Sequence, residues 1–316
     1  MEYVLLKSRS YRGVISTGFG LYFSHFRLFL KASWLMASLF AAVFAALGMM
    51  VSVQLPAITA SIMKQLLVQQ APLSIEMVQQ YLMTATGIIL LVILYLVVDA
   101  LTYATVLNKL KEHHDTNAMT VPKHWFAITR RLMGRTLKGL LFTILVVLLP
   151  GLVLSGMVLI LTKYVGVAYI TMIVTVVLAS LVLILLCLPL LYVFVKYVMN
   201  PDTTYFSLLP KAYAIGLRHW GHIFTTCLIG YLLVGVLVIV CTLPAIILSK
   251  AHFASQEGFL NGDPLGMPAY ITPLTIGTFF LTGFILVYLC LPMVMIAYYL
   301  YGSIESYENE KTKIDI

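Results

Sequence analysis

The sequence predicts an all-α integral membrane protein with six transmembrane helices. Of its 316 residues, 61% are hydrophobic and only 10% are charged, whereas a soluble domain carries roughly 25% charged residues. A soluble globule of this length has too little polar surface to cover so many apolar side chains, and a disordered chain would be poor in aromatic and branched residues. Strands of a transmembrane barrel alternate over about 10 residues, but here the apolar runs are continuous.

Six stretches reach the length of about 20 residues that a helix needs to cross the hydrocarbon core. The positions of the 20 lysines and arginines give their orientation, because 17 of them fall on one side of these spans, and basic residues favour the cytoplasmic side. The sequence therefore predicts that both termini are cytoplasmic. The predicted spans are about Ala32–Leu55, Leu82–Leu107, Gly139–Leu161, Ala168–Val195, Ile223–Leu248 and Pro273–Leu300.

The net charge of +8 is explained by this basic cytoplasmic face. Such a face attracts anionic lipid headgroups, so we expect membrane lipids as partners and no nucleic acid. All four cysteines fall within predicted spans, which excludes a disulfide framework. No metal or cofactor motif occurs: His219 and His222 are one helical turn apart but lack a third ligand, and the segment Glu112–Asp115 has the wrong spacing for zinc.

The chain also contains a predicted threefold repeat. Leu-Pro pairs at Pro56, Pro150 and Pro244 recur at intervals of 94 residues, and Pro189 and Pro292 mark the second spans of their repeats. We expect these prolines to kink or end helices and to free backbone carbonyls for other partners. The single membrane domain, 1–316, then divides into repeat 1 at about 9–108, repeat 2 at about 121–202, repeat 3 at about 205–301 and a cytoplasmic tail at 302–316.

Each repeat opens with a predicted amphipathic helix on the cytoplasmic side, followed by a helical hairpin. In the first, apolar residues at helical spacing share one face: Tyr11, Ile15, Phe19, Tyr22, Phe26 and Phe29. An aromatic stripe with basic flanks suits a helix in the membrane interface, although the same stripe would also suit packing on the cytoplasmic end of the bundle. The residues predicted to contact lipid are Arg12, Arg27, Trp125, Arg130, Arg131 and Trp220.

A resemblance to a known group rests on two of these amphipathic segments, Gly20–Phe29 and Gly216–Phe224. Each of them is followed by an apolar hairpin. The chain resembles a group of six-span bacterial membrane proteins that includes the membrane domain of some glycerophosphodiester phosphodiesterases. The resemblance implies a location in the bacterial inner membrane. It does not imply phosphodiesterase activity, because that activity belongs to a soluble catalytic domain, and the longest polar segment of this chain is about 30 residues.

Asp99 is the one acidic residue inside a predicted span. Intramembrane carboxyl groups are costly and often functional, so Asp99 is a candidate ion or proton site, with Tyr95 and Tyr103 one turn away on the same helical face. It is equally a candidate structural group, bonded to a tyrosine or to Lys138 or Lys196.

The sequence therefore favours a non-enzymatic accessory or scaffold protein in envelope or lipid homeostasis. The first alternative is a small transporter or channel that uses Asp99. The second is a lipid-modifying membrane enzyme, which is disfavoured because no paired catalytic carboxylates occur in the sequence.

Overall fold

The computed structural model describes residues 4–68, 72, 74–116, 134–147, 150–151, 156, 169–200, 202–262 and 267–314. These residues are almost entirely helical and include no strand. Within the described residues, five helices are long and apolar enough to cross a membrane, which is compatible with a multi-pass membrane protein. Nearly half of the third predicted span, Gly139–Leu161, lies outside the described residues, so the six-span count stays a prediction. The five are Phe26–Leu66, Ile75–Lys111, Val177–Met199, Trp220–Gly258 and Ile271–Lys311.

Ten α-helical segments follow one another along the described chain. Two short π-helical segments, Met50–Gln54 and Lys64–Val68, flank the third of them. In order, the helices are α1 Tyr11–Ser24, α2 Phe26–Met49, α3 Leu55–Met63, α4 Ile75–Thr116, α5 over residues 134–147, α6 Tyr169–Cys187, α7 Pro189–Met199, α8 Tyr205–Arg218, α9 Trp220–Leu260 and α10 Ile271–Ile314.

The helices are longer than the predicted spans. Helical structure continues from Phe26 to Val68. Pro56 does not end it and lies in the first turn of α3, directly after the π-helical segment Met50–Gln54. Pro244 and Pro292 lie inside α9 and α10 without ending them. Ser74 begins α4 as a capping residue, since its hydroxyl accepts a hydrogen bond from the Met77 amide at 3.3 Å.

The first aromatic stripe is divided between two helices. The chain leaves the helical conformation at His25, so Phe26 and Phe29 belong to α2. The buried side of α1 consists of Val14, Ile15, Gly18, Leu21 and Tyr22. α8 has the same length of 14 residues and ends in the same way, at His219 before the long α9. These two segments share one local design, a short helix joined to a long one through a single histidine.

The described chain folds into two compact units. Unit 1 contains Met1–Phe29, Tyr103–Leu232 and Pro292–Ile316, and unit 2 contains Leu30–Thr102 and Leu233–Leu291. Unit 1 therefore includes α1, α8 and the C-terminal part of α10, whereas unit 2 includes most of α2 and the longer part of α9.

In unit 1, Pro189 separates α6 from α7 and frees carbonyls that find other partners. Proline has no N–H to offer the carbonyl four residues earlier, and that carbonyl, of Leu185, accepts a hydrogen bond from the Trp220 indole at 3.0 Å. The Leu186 carbonyl accepts one from the Tyr213 hydroxyl at 2.9 Å. Here the expectation that freed carbonyls are satisfied elsewhere is confirmed.

The C-terminal part of α10 is the packing centre of unit 1. Residues 302–314, expected as a tail, continue the helix, and Gly302, Ser303 and Ile304 are buried. The N-terminal segment lies against them: the Ser303 hydroxyl accepts from the Arg9 amide and donates to the Arg9 carbonyl, both at 3.0 Å. Leu5 packs directly on Gly302, in the space that a side chain would occupy.

We predict that Gly302→Ala destabilises the protein. The added Cβ would lie 2.4 Å from Leu5 Cδ1 and 2.5 Å from the Leu5 carbonyl oxygen, and overpacking of this kind costs about 1–3 kcal/mol. Thermal unfolding in detergent measures the effect. Gly277→Ala is the matched control, because it lies on the same helix with no atom within 4 Å of its added Cβ. Equal melting temperatures for the two variants would contradict the prediction.

Candidate functional site

Two carboxylates on the C-terminal part of α10, those of Glu305 and Glu308, bind polar groups of α7 and of the α8–α9 junction in unit 1. Glu305 receives the Lys196 ammonium at 2.5 Å and the Tyr192 hydroxyl at 2.5 Å. Lys196 and Tyr192 are one turn apart on α7, and their polar atoms are 3.1 Å apart. Since the three groups are mutually bonded, they fix the C-terminal part of α7 against α10.

Glu308 forms the second contact, one turn further along α10. Its carboxylate lies 3.1 Å from the Arg218 guanidinium and 2.9 Å from the His219 imidazole, at the junction of α8 and α9. Tyr307 stacks on His219 with ring centroids 6.1 Å apart. Glu308 lies eight residues beyond the predicted end of the sixth span. The hydrogen bond with His219 lowers the pKa of its carboxyl, the charge of Arg218 acts in the same direction, and burial opposes both.

Two arginines of unit 1 bind backbone carbonyls. The Arg9 guanidinium donates to the carbonyls of Leu5 at 3.1 Å, Lys7 at 3.2 Å and Val4, and lies 5.1 Å from the centroid of the Tyr299 ring. Burial lowers its pKa, and the neighbouring Tyr299 acts in the opposite direction. Arg9 thus holds residues 4–9 in a compact turn, which we call the N-terminal hook.

Arg135 plays the corresponding part at the C-terminal end of α7. It donates to the carbonyls of Tyr197 at 2.7 Å, Thr203 at 2.9 Å and Asn200, and it lies 4.0 Å from the centroid of the Tyr197 ring. A cation at this end of a helix is favoured by the exposed carbonyls and the helix dipole. Arg135 therefore caps the C-terminal end of α7 and links it by hydrogen bonds to the segment that leads into α8.

The predicted lipid-contact residues fall into three groups. Arg12 and Arg27 are exposed, as a headgroup contact requires. Trp220 is half-buried and its indole N–H is already bonded to Leu185, so its polar atom anchors α9 within unit 1. The other three lie outside the described residues: Trp125, Arg130 and Arg131.

Asp99 lies in unit 2 on α4 and is half-buried. Tyr95, one turn earlier, and Cys290 of α10 are near enough to interact electrostatically with its carboxyl group. Among the described residues, no group donates a hydrogen bond to Asp99. Lys196, one of the two lysines considered as its partner, is instead bound by Glu305.

Tyr103 and a groove on α4 bear on the predicted ion or proton site at Asp99. Tyr103, the third residue of the candidate site, is half-buried one turn further along α4. A surface groove of about 790 Å³ runs along the first four turns of α4, and Asp99 is not among its lining residues. The groove is lined by Ile75, Val78, Gln79, Leu82, Met83, Thr86, Gly87 and Leu90.

In the part of the chain that the structure describes, no three histidine, cysteine or acidic side chains form a group that could hold a metal ion. His219 is engaged by Glu308. The Nε2 atom of His222 is buried without a hydrogen-bond partner. Glu112–Asp115 belongs to the last turn of α4 rather than to a loop, and its side chains lie outside the described ones.

Sequence reasoning missed Glu305 and Glu308, which it left in a tail. Two carboxylates three residues apart, directly after an apolar run without a helix-ending residue, are the signal that could have revealed them. Arg9 was counted only for topology, because its partners on α10 are nearly 300 residues away in the chain.

Comparison of the chain with protein-family models, curated proteins and solved structures finds no match. The function is therefore argued from the residues and their geometry alone.

We predict that Glu308→Gln removes a pH-dependent part of the stability. Because its pKa is lowered from 4.5 in the folded protein, the carboxylate stabilises the fold above that pH and loses the effect as the pH falls through its folded value. The expected difference from the parent protein is about 0.2–1 kcal/mol above pH 4.5 and shrinks as the pH falls through the folded-state pKa. Unfolding curves across this pH range measure it. Glu310→Gln, an exposed neighbour, should show no such trend, and a difference that persists at low pH would contradict the prediction.

Proposed function

We propose that this chain is a non-enzymatic accessory or scaffold protein of the bacterial inner membrane that acts in envelope or lipid homeostasis. Its cytoplasmic helices would bind anionic lipid headgroups. The observation that carries this proposal is the corner between α1 and α2, where aromatic and basic side chains are exposed together. Six spans, cytoplasmic termini and membership of the six-span group that the sequence resembles are parts of the same proposal.

The α1–α2 corner has the composition of a membrane-interface segment. Phe23 is 71% exposed, Phe26 is 37% exposed, and Phe19 stacks on Phe23 with ring centroids 6.2 Å apart. Arg27 follows them and is also exposed. Exposed aromatic rings beside a basic residue insert at the headgroup boundary while the cation binds phosphate. Arg12, also exposed, adds a second cation on α1.

The matching design of α1–His25–α2 and α8–His219–α9 supports the threefold repeat within this proposal. Both short helices have 14 residues and are followed by a long apolar helix after one residue. Three copies of such a unit would place three basic and aromatic segments at one membrane face. This arrangement suits a protein that holds lipid or membrane-bound partners at that face.

We predict that the double variant Arg12→Gln/Arg27→Gln loses bound anionic lipid. Each basic residue near a membrane surface contributes about 1 kcal/mol, so both together should weaken affinity for phosphatidylglycerol about 30-fold. Native mass spectrometry with phosphatidylglycerol and phosphatidylcholine measures the loss. The control is Lys64→Gln/Lys250→Gln, which removes the same charge on the predicted outer side. An equal loss in both double variants, or no loss in either, would overturn the lipid-binding proposal.

A second candidate function, small-ion or proton transport, is favoured by the surroundings of Asp99. A half-buried carboxyl group in an apolar unit with no described hydrogen-bond donor is expensive to keep. Its neighbours, Tyr95 and Cys290, are themselves ionisable. A group held in this way can bind and release a proton as its surroundings rearrange.

We predict that this second function, if present, depends on the charge of Asp99. The parent protein in vesicles should carry a proton flux above that of empty vesicles, and Asp99→Asn should reduce the flux about tenfold because it keeps the shape and removes the titratable group. A pH-sensitive dye inside the vesicles measures the flux, and Glu76→Gln at the start of α4 is the control. Flux that is unchanged in folded Asp99→Asn would overturn this proposal and leave the scaffold function.

A further inference from the structure

Unit 2 contains a buried polar cluster on one face of α9, remote in sequence from Asp99. Ser249 and His252 are neighbours on that face. Ser249 Oγ lies 2.9 Å from Ser52 Oγ, and His252 Nε2 lies 3.0 Å from Thr275 Oγ1. His252 is only 5% exposed. Ser52 belongs to the π-helical segment after α2, a helix form that often occurs at functional sites.

The hydrogen bonds fix which imidazole nitrogen carries the proton. The Thr275 hydroxyl donates its one hydrogen to the Ile271 carbonyl at 2.8 Å, so it accepts from His252 and the His252 proton lies on Nε2. By the same logic the Ser249 hydroxyl donates to the Ala245 carbonyl at 2.8 Å and accepts from Ser52. In neutral His252, Nδ1 carries a lone pair that accepts no hydrogen bond from the described residues. Nδ1 is therefore the atom that can accept a proton.

An apolar ring, that of Phe279, follows this cluster by one turn of α10, and we call it the plug. Phe279, one turn after Thr275 on α10, is buried with Ala45 of α2 and Ala245 of α9, and Phe44 packs against them. Gly48 makes room for the ring, since a Cβ there would lie 2.5 Å from a ring carbon of Phe279. The small residues at these positions let the helix backbones close around one phenyl ring.

From the plug, a row of aromatic rings leads to Asp99. The ring centroids of Phe279 and Phe44 are 6.0 Å apart, those of Phe44 and Phe40 are 6.3 Å apart, and those of Phe40 and Tyr95 are 4.9 Å apart. Tyr95 is one turn before Asp99 on α4. His252 therefore lies near one end of the row and Tyr95 and Asp99 lie at the other, and the ring contacts between them join Phe279, Phe44 and Phe40.

We propose that His252 and Asp99 are the two proton-binding groups of a proton path through unit 2 and that the Phe279–Phe44–Phe40 row is its closed gate. The inference rests on the second proposed function, because Asp99 is one end of the path. A proton from water binds His252 Nδ1, giving an imidazolium, and leaves again to water that enters when the rings move apart. The Asp99 carboxylate then accepts it, and no other bond changes. A row of this kind blocks conduction by excluding water.

The test is proton flux into vesicles that contain the full chain, with a pH-sensitive dye and a valinomycin-set potential. Phe279→Ala should raise the flux by about tenfold, since it removes the ring that closes the gate. Phe280→Ala is the matched control, because the adjacent Phe280 is exposed. In the Phe279→Ala background, His252→Gln and Asp99→Asn should each abolish the increase and bring the flux to the parent value or below it. Glutamine keeps an N–H for Thr275 but has no titratable nitrogen.

Phe279→Leu, a smaller change, is measured in parallel so that misfolding of Phe279→Ala cannot hide the result. No increase in either folded variant overturns the gate. An increase that His252→Gln does not reduce but Asp99→Asn abolishes overturns the path to His252 and leaves the second proposed function standing. An increase that neither variant reduces overturns both. Suppression by both variants, with no increase in Phe280→Ala, supports the path.

Discussion

Unit 1 depends on the stretch of α10 between Met293 and Glu308. Its long apolar helices are compatible with a membrane, where helices gain little from burying apolar surface against one another. Lipid tails are as apolar as leucine, so association relies on close packing and hydrogen bonds. This stretch of α10 supplies both. Close packing joins Ile296 to Gly18 of α1 and Met293 to Gly230 of α9, and the Tyr298 hydroxyl donates to the Leu110 carbonyl of α4 at 3.1 Å. Glu305 and Glu308 add the charged contacts to α7 and to the α8–α9 junction.

The same constraint separates the basic residues into two classes. Arg9, Arg135 and Lys196 are held by carbonyls, aromatic rings or Glu305, so they stabilise unit 1. Arg12 and Arg27 are exposed and remain available to a headgroup. Topology counting treats all five alike, since it reads only charge and position along the chain. For lipid recognition, only the exposed class is relevant.

The sequence predicted well those features that depend on composition over one helix. The apolar runs and the carbonyls freed by Pro189 each follow from residues within a turn or two. It predicted poorly where distant partners decide. The aromatic stripe through Phe26 and Phe29 keeps helical spacing across His25, so no periodicity reveals the break there. The tail became a packed helix because its partners lie on α7, on α8 and in the N-terminal hook.

The candidate sites show the same limit. Asp99 stood out because a lone carboxylate in an apolar run is visible in the sequence, whereas His252 lies four residues beyond the predicted end of the fifth span, Leu248. Its burial depends on Thr275, 23 residues later, and its tautomer depends on Ile271. Position along a chain shows which groups are unusual in their own segment. Only packing shows which groups are buried together.

Both units contain polar groups without a hydrogen-bond partner. In unit 1, Glu305, Glu308 and Arg9 bind side chains or backbone carbonyls, whereas His222 Nε2 is buried without a partner. In unit 2, the Asp99 carboxyl and His252 Nδ1 lack described donors, although a buried polar group without a partner costs about 1–3 kcal/mol. A membrane helix gains nothing in stability by keeping such groups, since an apolar residue would fit better. In the proposed proton path, exchange of protons accounts for the presence of both groups in one unit, at the two ends of one aromatic row.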